Sequence, residues 1–319
     1  MSALAQPAQP NPETGTFSDH PLLASVGRTP LLPLARIRAG LAPGVALWAK
    51  VEGFNPTGSV KDRPAVAILR RALAEGQLSA GRTLLDSTSG NMGIAYAAFG
   101  AALGVPVHLA VPANASQTRL ASLRAFGAKL TLTDPLEGSD GARLVAARLA
   151  AEAPDRYFYA DQYANPENWG AHFRTTGPEI LEQTQDGLTH FVCGLGTSGT
   201  LVGVGRCLRQ RSAAIRITAV QPDGPLHGLE GLKHYPSTPT PPIFDADLAD
   251  ETITVTTEQA YAMTRRLASD EGLLTGVSSG AAVQAALELA AGLKRGLVVV
   301  LLPDSGGRYL NDPFWQAGP

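Results

Sequence analysis

Cysteine is nearly absent. Cys193 and Cys207 are the only two in 319 residues, too few for a disulfide framework and in keeping with a reducing, cytoplasmic compartment. Long apolar runs are missing too. The longest, such as Leu297 to Leu302, fall far short of the roughly 20 residues of a membrane-spanning helix. No charge sign dominates: 26 Lys plus Arg against 28 Asp plus Glu leave −2, which gives no support for a nucleic-acid or membrane-surface protein held by bulk charge. The six His are scattered without HExxH or CxxC spacing, so no metal site is expected. Residues 1–19 are Pro, Ala and polar, with no basic or apolar segment of a secretory signal, and are expected to form a loose tail.

What remains is an ordinary globular mixture, 17% charged and 44% apolar, rich in glycine (34) and proline (24). The length suggests roughly two domains at about 150 residues each. From Ala46 onward short apolar runs alternate with helical stretches. Strands are expected at 46–51, 83–85, 107–111, 129–132, 157–159, 190–193, 215–220 and 297–302. Helices are expected at 65–75, 91–103, 117–126, 140–151, near 178–183, and at 200–210, 258–271 and 281–293. Such alternation argues for an α/β protein with parallel sheets covered on both faces. The polar stretch from Asp161 to Trp169 reads as an extended crossing between two sub-domains.

Four loops each open a helix. In the first, Asn55 to Arg63, Ser59 is a good N-cap and Asp62 stands three residues on, as in a capping box. That puts Lys61 in the first helical turn, where the helix dipole disfavours a cation and lowers an amine pKa. Such a lysine is either a solvated helix end or a reactive amine of the Schiff-base kind. The second loop, Ser87 to Gly93, follows a strand and offers hydroxyls and free N–H groups to a carboxylate. It serves equally as an ordinary capping loop. The third, Gly194 to Thr200, matches GxGxxG between a strand and a helix, the context of a phosphate cradle. A dinucleotide fold needs an acid at the end of the following strand, and Gln221 and Pro222 stand there instead. The fourth, Gly276 to Gly280, caps a helix or faces a ligand.

Together, in this order, these loops resemble the fold-type II pyridoxal-phosphate enzymes, and among them most closely the cysteine synthases (O-acetylserine sulfhydrylases). The resemblance runs from Gly27-Arg28-Thr29-Pro30-Leu31 through Thr176-Gly177-Pro178-Glu179-Ile180 to the segment Pro303 to Leu310. It implies two doubly wound, mostly parallel sheet domains of the tryptophan synthase β type, with pyridoxal 5′-phosphate in the cleft between them. Residues 46–165 would form a smaller, mobile domain for the substrate carboxylate, and 20–45 with 166–319 a larger one for the cofactor phosphate. By resemblance Lys61 is the catalytic lysine that forms the internal aldimine, and Asn91 bonds the cofactor 3′-hydroxyl. Gly196, Thr197, Ser198, Gly199 and Thr200 cradle the phosphate, and Ser278 meets the pyridine nitrogen. Thr88, Ser89, Gly90, Met92 and Gln162 surround the substrate.

The implied reaction is a β-replacement. A neutral Ser278 at the ring nitrogen favours loss of a leaving group over transamination. Lys61 removes the Cα proton, an α-aminoacrylate forms, and sulfide adds to give L-cysteine. O-acetylserine is the expected donor. Two departures bear on this. The family's Asn-Thr-Gly reads Asn91-Met92-Gly93 here, and the segment Pro222 to His234 differs. Relatives that take O-phosphoserine carry a cation near there, for which His227, Lys233 and His234 are candidates, a solvated loop being the alternative. Cystathionine β-synthase-type condensation, threonine synthase or a dehydratase share the core. A non-catalytic partner of serine acetyltransferase and a nicotinamide oxidoreductase are readings of other classes. The resemblance also implies a homodimer, with a serine acetyltransferase tail or a sulfur-carrier protein as possible partners.

Overall fold

The computed structural model describes residues 20–79, 81–88 and 90–316, so the expected tail and Ser89 lie outside the described residues. Among the described residues ten strands and ten α-helices follow one another, for the most part in alternation. Six strands form one sheet: β1 (Leu31–Pro33), β2 (Gly44–Val51), β7 (His190–Gly194), β8 (Arg216–Pro222), β9 (Glu251–Val255) and β10 (Arg295–Leu302). Their order is β1-β2-β10-β7-β8-β9, parallel except for the β1–β2 pair. The second sheet is wholly parallel, in the order β5-β4-β3-β6, from β3 (Thr83–Ser87), β4 (Val107–Pro112), β5 (Lys129–Thr133) and β6 (Tyr157–Tyr159).

Helices cover both faces of each sheet, as parallel strands require. On the six-stranded sheet, α9 (Thr257–Glu271) and α10 (Val277–Ala291) close one core, and α7 (Thr176–Gln183) with α8 (Gly199–Arg211) close the other. On the four-stranded sheet, α2 (Asp62–Ala74), α3 (Asn91–Leu103) and α4 (Gln117–Ala125) cover one face and α5 (Gly138–Glu152) the other. The apolar run Val298 to Leu302 is buried on both faces of its sheet. Each such side chain contributes about 1.5–3 kcal/mol by burial.

The expected α/β alternation is present, with corrections. The strand at 46–51, read as the start of the smaller unit, pairs in parallel with β10 and so belongs to the six-stranded sheet. The stretch Asp161 to Trp169 is not extended throughout. Asn165 caps Glu167 N–H, and Pro166 opens helix α6 (Pro166–Arg174). Helix α1 (Pro21–Ala24) and strands β1 and β9 escaped the sequence reading.

Candidate active site

The cleft between the two sheets collects the ends of the glycine-rich loops. It is lined by Lys61, Thr88, Gly90, Asn91, Met92, Gln162, Gly196, Thr197, Ser198, Gly199, Thr200 and Ser278. Apart from Ser89, which lies outside the described residues, every cofactor and substrate residue expected from the sequence is therefore in one place. Their elements account for this. The C-terminal ends of parallel strands point to one side, and the helix N-termini that follow them open there.

Lys61 sits at the N-cap of α2, two helix positions earlier than a cap at Ser59 would put it. The expected capping box does not form. Asp62 reaches back to Thr57, accepting its N–H at 2.7 Å and its hydroxyl, while Ser59 Oγ accepts the Lys61 N–H at 3.3 Å. Burial lowers the Lys61 amine below its ordinary value, against the pull of Asp304. A lowered amine has more of the neutral form a nucleophile or base needs. Two residues on, Arg63 is locked in a buried ion cluster. It bonds Glu52 through Nε and Glu179 through Nη1, each at 2.7 Å, and Lys50 also meets Glu179 at 2.7 Å. This cluster fixes the start of α2 and with it the base of Lys61.

The third loop runs from β7 into α8. Ser198 is left-handed, at φ 69°, and a 13-residue helix follows. The packing admits no side chain at two of its glycines. A Cβ on Gly199 would lie 2.0 Å from Asn168 Oδ1, and one on Gly196 2.5 Å from the Gly231 carbonyl. The bare backbone and the first N–H groups of α8 thus form an anion cradle at the positive end of a helix. Asn168 braces it, donating to Thr197 Oγ1 at 3.0 Å and to the Gln162 carbonyl at 2.6 Å. Behind Thr200 lies His172, with Nε2 at 3.4 Å from the Thr200 hydroxyl. Burial pushes the His172 ring down to about 3, so it is neutral around pH 7.

The opposite wall is the start of α3. Thr88 Oγ1 accepts the N–H groups of Gly90 and Gly93, both at 3.1 Å, so this hydroxyl shapes the loop from within. Gln162 donates to the Ser87 carbonyl at 2.8 Å, and its own N–H reaches Asp86 at 3.2 Å. Met92, which stands where the resemblance leads one to expect threonine, is buried. Ser278 stands on the first turn of α10, also buried.

Several cleft residues escaped the sequence reading. Asp304 accepts from Asn91 Nδ2 at 2.7 Å and from Tyr309 at 2.6 Å. Arg119, on α4, pairs with Glu230 from the opposite wall and lies 5.4 Å over the Tyr309 ring. Of the three candidate cations, Lys233 alone is among the lining residues, held by Asp140 of α5 at 2.8 Å. His227 and His234 turn into their own loop, bonding Leu229 and Ser237. Among the described residues no cluster of three or more His, Cys, Asp or Glu could hold a metal, and no helix is long and apolar enough to cross a membrane.

The residues present fit pyridoxal phosphate. An amine with lowered pKa, an amide donor and a neutral hydroxyl face the same cleft as an anion cradle whose glycines cannot carry a Cβ. The family model for pyridoxal-phosphate dependent enzymes matches residues 22–304. The chain is 49% identical over 300 residues to a cysteine synthase of Aquifex aeolicus, with 92% of each chain covered. It is similar to the solved cysteine synthase of Entamoeba histolytica, with a TM-score of 0.90, 33% identity, and 99% of this chain and 95% of that one covered. A similar likeness holds to the O-acetylserine dependent cystathionine beta-synthase of Helicobacter pylori, with a TM-score of 0.87, 33% identity, and 92% and 98% covered. With most of its length matched and its loops assembled in one cleft, the chain belongs to the pyridoxal-phosphate dependent enzyme family.

Proposed function

We propose that this enzyme makes L-cysteine from O-acetylserine and sulfide by β-replacement. The observation that carries the reading is the meeting of Lys61, Asn91, Ser278 and the Gly196–Thr200 cradle in one cleft, supported by 49% identity to a cysteine synthase. When bound, pyridoxal phosphate supplies the electron sink that lets a Cα proton leave.

The protein's own residues then divide the work. The α8 N-terminus with Thr197 and Thr200 would hold the phosphate. Asn91 would donate to the cofactor's 3′-oxygen. Ser278 would offer the ring nitrogen a neutral hydroxyl in place of a carboxylate. Gly90, Met92 and Gln162, with the loop that Thr88 shapes, hold the amino-acid carboxylate at the start of α3, with Ser89 expected beside them. That pose turns Cα–H toward the Lys61 amine, which takes the proton and returns it to Cα after sulfide has added at Cβ. The pairs Arg119–Glu230 and Lys233–Asp140 bridge the cleft and help keep water out of it.

The reading extends to a homodimer working in the cytoplasm, in keeping with two unbridged cysteines, and to a serine acetyltransferase tail or a sulfur-carrier protein as partner. One observation favours a second reading. Lys233 brings a cation to the cleft, which suits an O-phosphoserine leaving group. The similarity to a cystathionine beta-synthase that uses O-acetylserine adds homocysteine as an alternative acceptor. The experiment is a matrix of O-acetylserine and O-phosphoserine against sulfide and homocysteine, with products identified by mass. Cysteine from O-acetylserine and sulfide at the highest kcat/KM supports the proposal. Another pair in that place moves the substrate, and no product from any pair removes the reaction.

A further inference from the structure

Residues 303–305 hold several parts of the cleft at once. Val60 N–H donates to the Pro303 carbonyl at 2.7 Å, Ser305 N–H to the Gly58 carbonyl at 3.0 Å, and Gly276 N–H to the Asp304 carbonyl at 3.3 Å. Ser59 and Asp304 also form an antiparallel bridge. This short segment thus clamps both the Lys61 loop and the loop that leads to Ser278. The Asp304 side chain is 2% exposed. Its Oδ2 accepts from Asn91 and Tyr309, and its Oδ1 has no hydrogen-bond partner in the chain. A buried carboxylate oxygen without a donor is costly, so its retention at this spot calls for a role.

The geometry supplies two. Asn91 Oδ1 accepts from Arg308, which can only donate, while its Nδ2 donates to Asp304, which can only accept when ionised. The two neighbours therefore fix which end of the amide is nitrogen. One Nδ2 hydrogen is spent on Asp304 and the other is left for the cleft. Asp304 also lines the same cleft as Lys61 and is bridged to Ser59, two residues before it, and its negative charge favours the cationic form of that amine. The other charged or titratable groups around it are Arg119, Arg308 and Tyr309, with Glu230 beyond Arg119.

We propose that Asp304 is a positioning residue, which aims the Asn91 amide at the cofactor's 3′-oxygen and sets a negative charge beside the Lys61 loop. The proposal rests on the pyridoxal-phosphate reading. It is tested on the holoenzymes of wild type, D304N and D304A, by cofactor affinity and by pH titration of the visible absorbance of bound pyridoxal phosphate. D304N keeps the shape and one acceptor but loses the charge, and D304A loses both. A nearby negative charge favours the protonated nitrogen, so its removal lowers the pH of the transition. In both variants the midpoint should fall by about one pH unit or more. Affinity should weaken about tenfold in D304A and much less in D304N. If D304A does not fold, the D304N midpoint decides. A D304N transition at the wild-type pH overturns the charge role, and unchanged affinity in D304A overturns the orienting role. A wild-type chain that binds no pyridoxal phosphate overturns instead the reading on which the proposal rests.

Discussion

The two walls of the cleft are built to different standards. The cradle wall belongs to the six-stranded sheet, whose faces both carry large apolar cores. Its loop is packed against Asn168 and Gly231 so closely that no Cβ fits at Gly196 or Gly199. The carboxylate wall belongs to the four-stranded sheet. One face of that sheet carries a large core under α2, α3 and α4, but the core beneath α5 has only five buried residues among those described, and Leu132 and Leu144 stand 49% and 72% exposed. Across the cleft the walls meet through ion pairs, Arg119–Glu230 and Lys233–Asp140. Ion pairs at a partly wet rim are cheap to break, whereas packed backbone is not. The tight wall suits a phosphate that stays bound. On the proposed function, the other wall is the one an amino acid enters and leaves.

The largest effect is expected where both walls converge. K61A should lose on the order of 10²–10⁴ in kcat while circular dichroism and thermal unfolding stay close to wild type. Retained turnover would remove Lys61 from the chemistry. Next comes the tight wall. G199A must displace Asn168, so it should cost about 1–3 kcal/mol, seen as a lower Tm and weaker cofactor binding. A silent G199A would show that the cradle can relax.

The walls should also respond to pH with opposite sign. His172, behind the cradle, has its pKa pushed down to about 3 by burial. Its unfolded form, near 6.5, therefore binds more protons between those values, and stability falls as pH drops through that window. Asp86, under the carboxylate loop, is pushed up to about 7 by burial. Its folded form binds more protons from about 4 to 7, so its contribution is lost as pH rises there. Urea unfolding at pH 4–7 should show H172Q losing less stability on the acid side than wild type does. Equal acid-side slopes would contradict the assignment. The smallest effect belongs to the rim. K233M breaks a partly exposed pair and should change stability by less than about 1 kcal/mol, with its main effect on substrate KM. A large fall in Tm would mean that the walls are not separable.

The sequence made the cradle legible because a loop that opens a helix is written locally, in glycines and hydroxyls within a few residues of each other. Lys61, Asn91 and Ser278 are such positions. Asp304 was not legible, because its meaning lies in a bond to Asn91, 213 residues away. Nothing in the sequence singles out Arg119 or His172, which the tertiary fold pairs with Glu230 and Thr200. The sheet that strand 46–51 joins is hidden from the sequence for a similar reason. Its periodicity gives a strand, yet its sheet is decided by β10 at the far end of the chain. Helix α6 is a different kind of miss. Asn165 and Pro166 are a helix-start signal, and the polar composition around them masked it.

The central claim is that Lys61 is the amine that carries pyridoxal phosphate. Borohydride reduction of the purified, cofactor-loaded protein, followed by peptide mass mapping, tests it most directly. The account predicts one pyridoxyl group per chain, on the peptide that contains Lys61, and none in K61A. A label on Lys233, the other lysine lining the cleft, or no label at all, would contradict it.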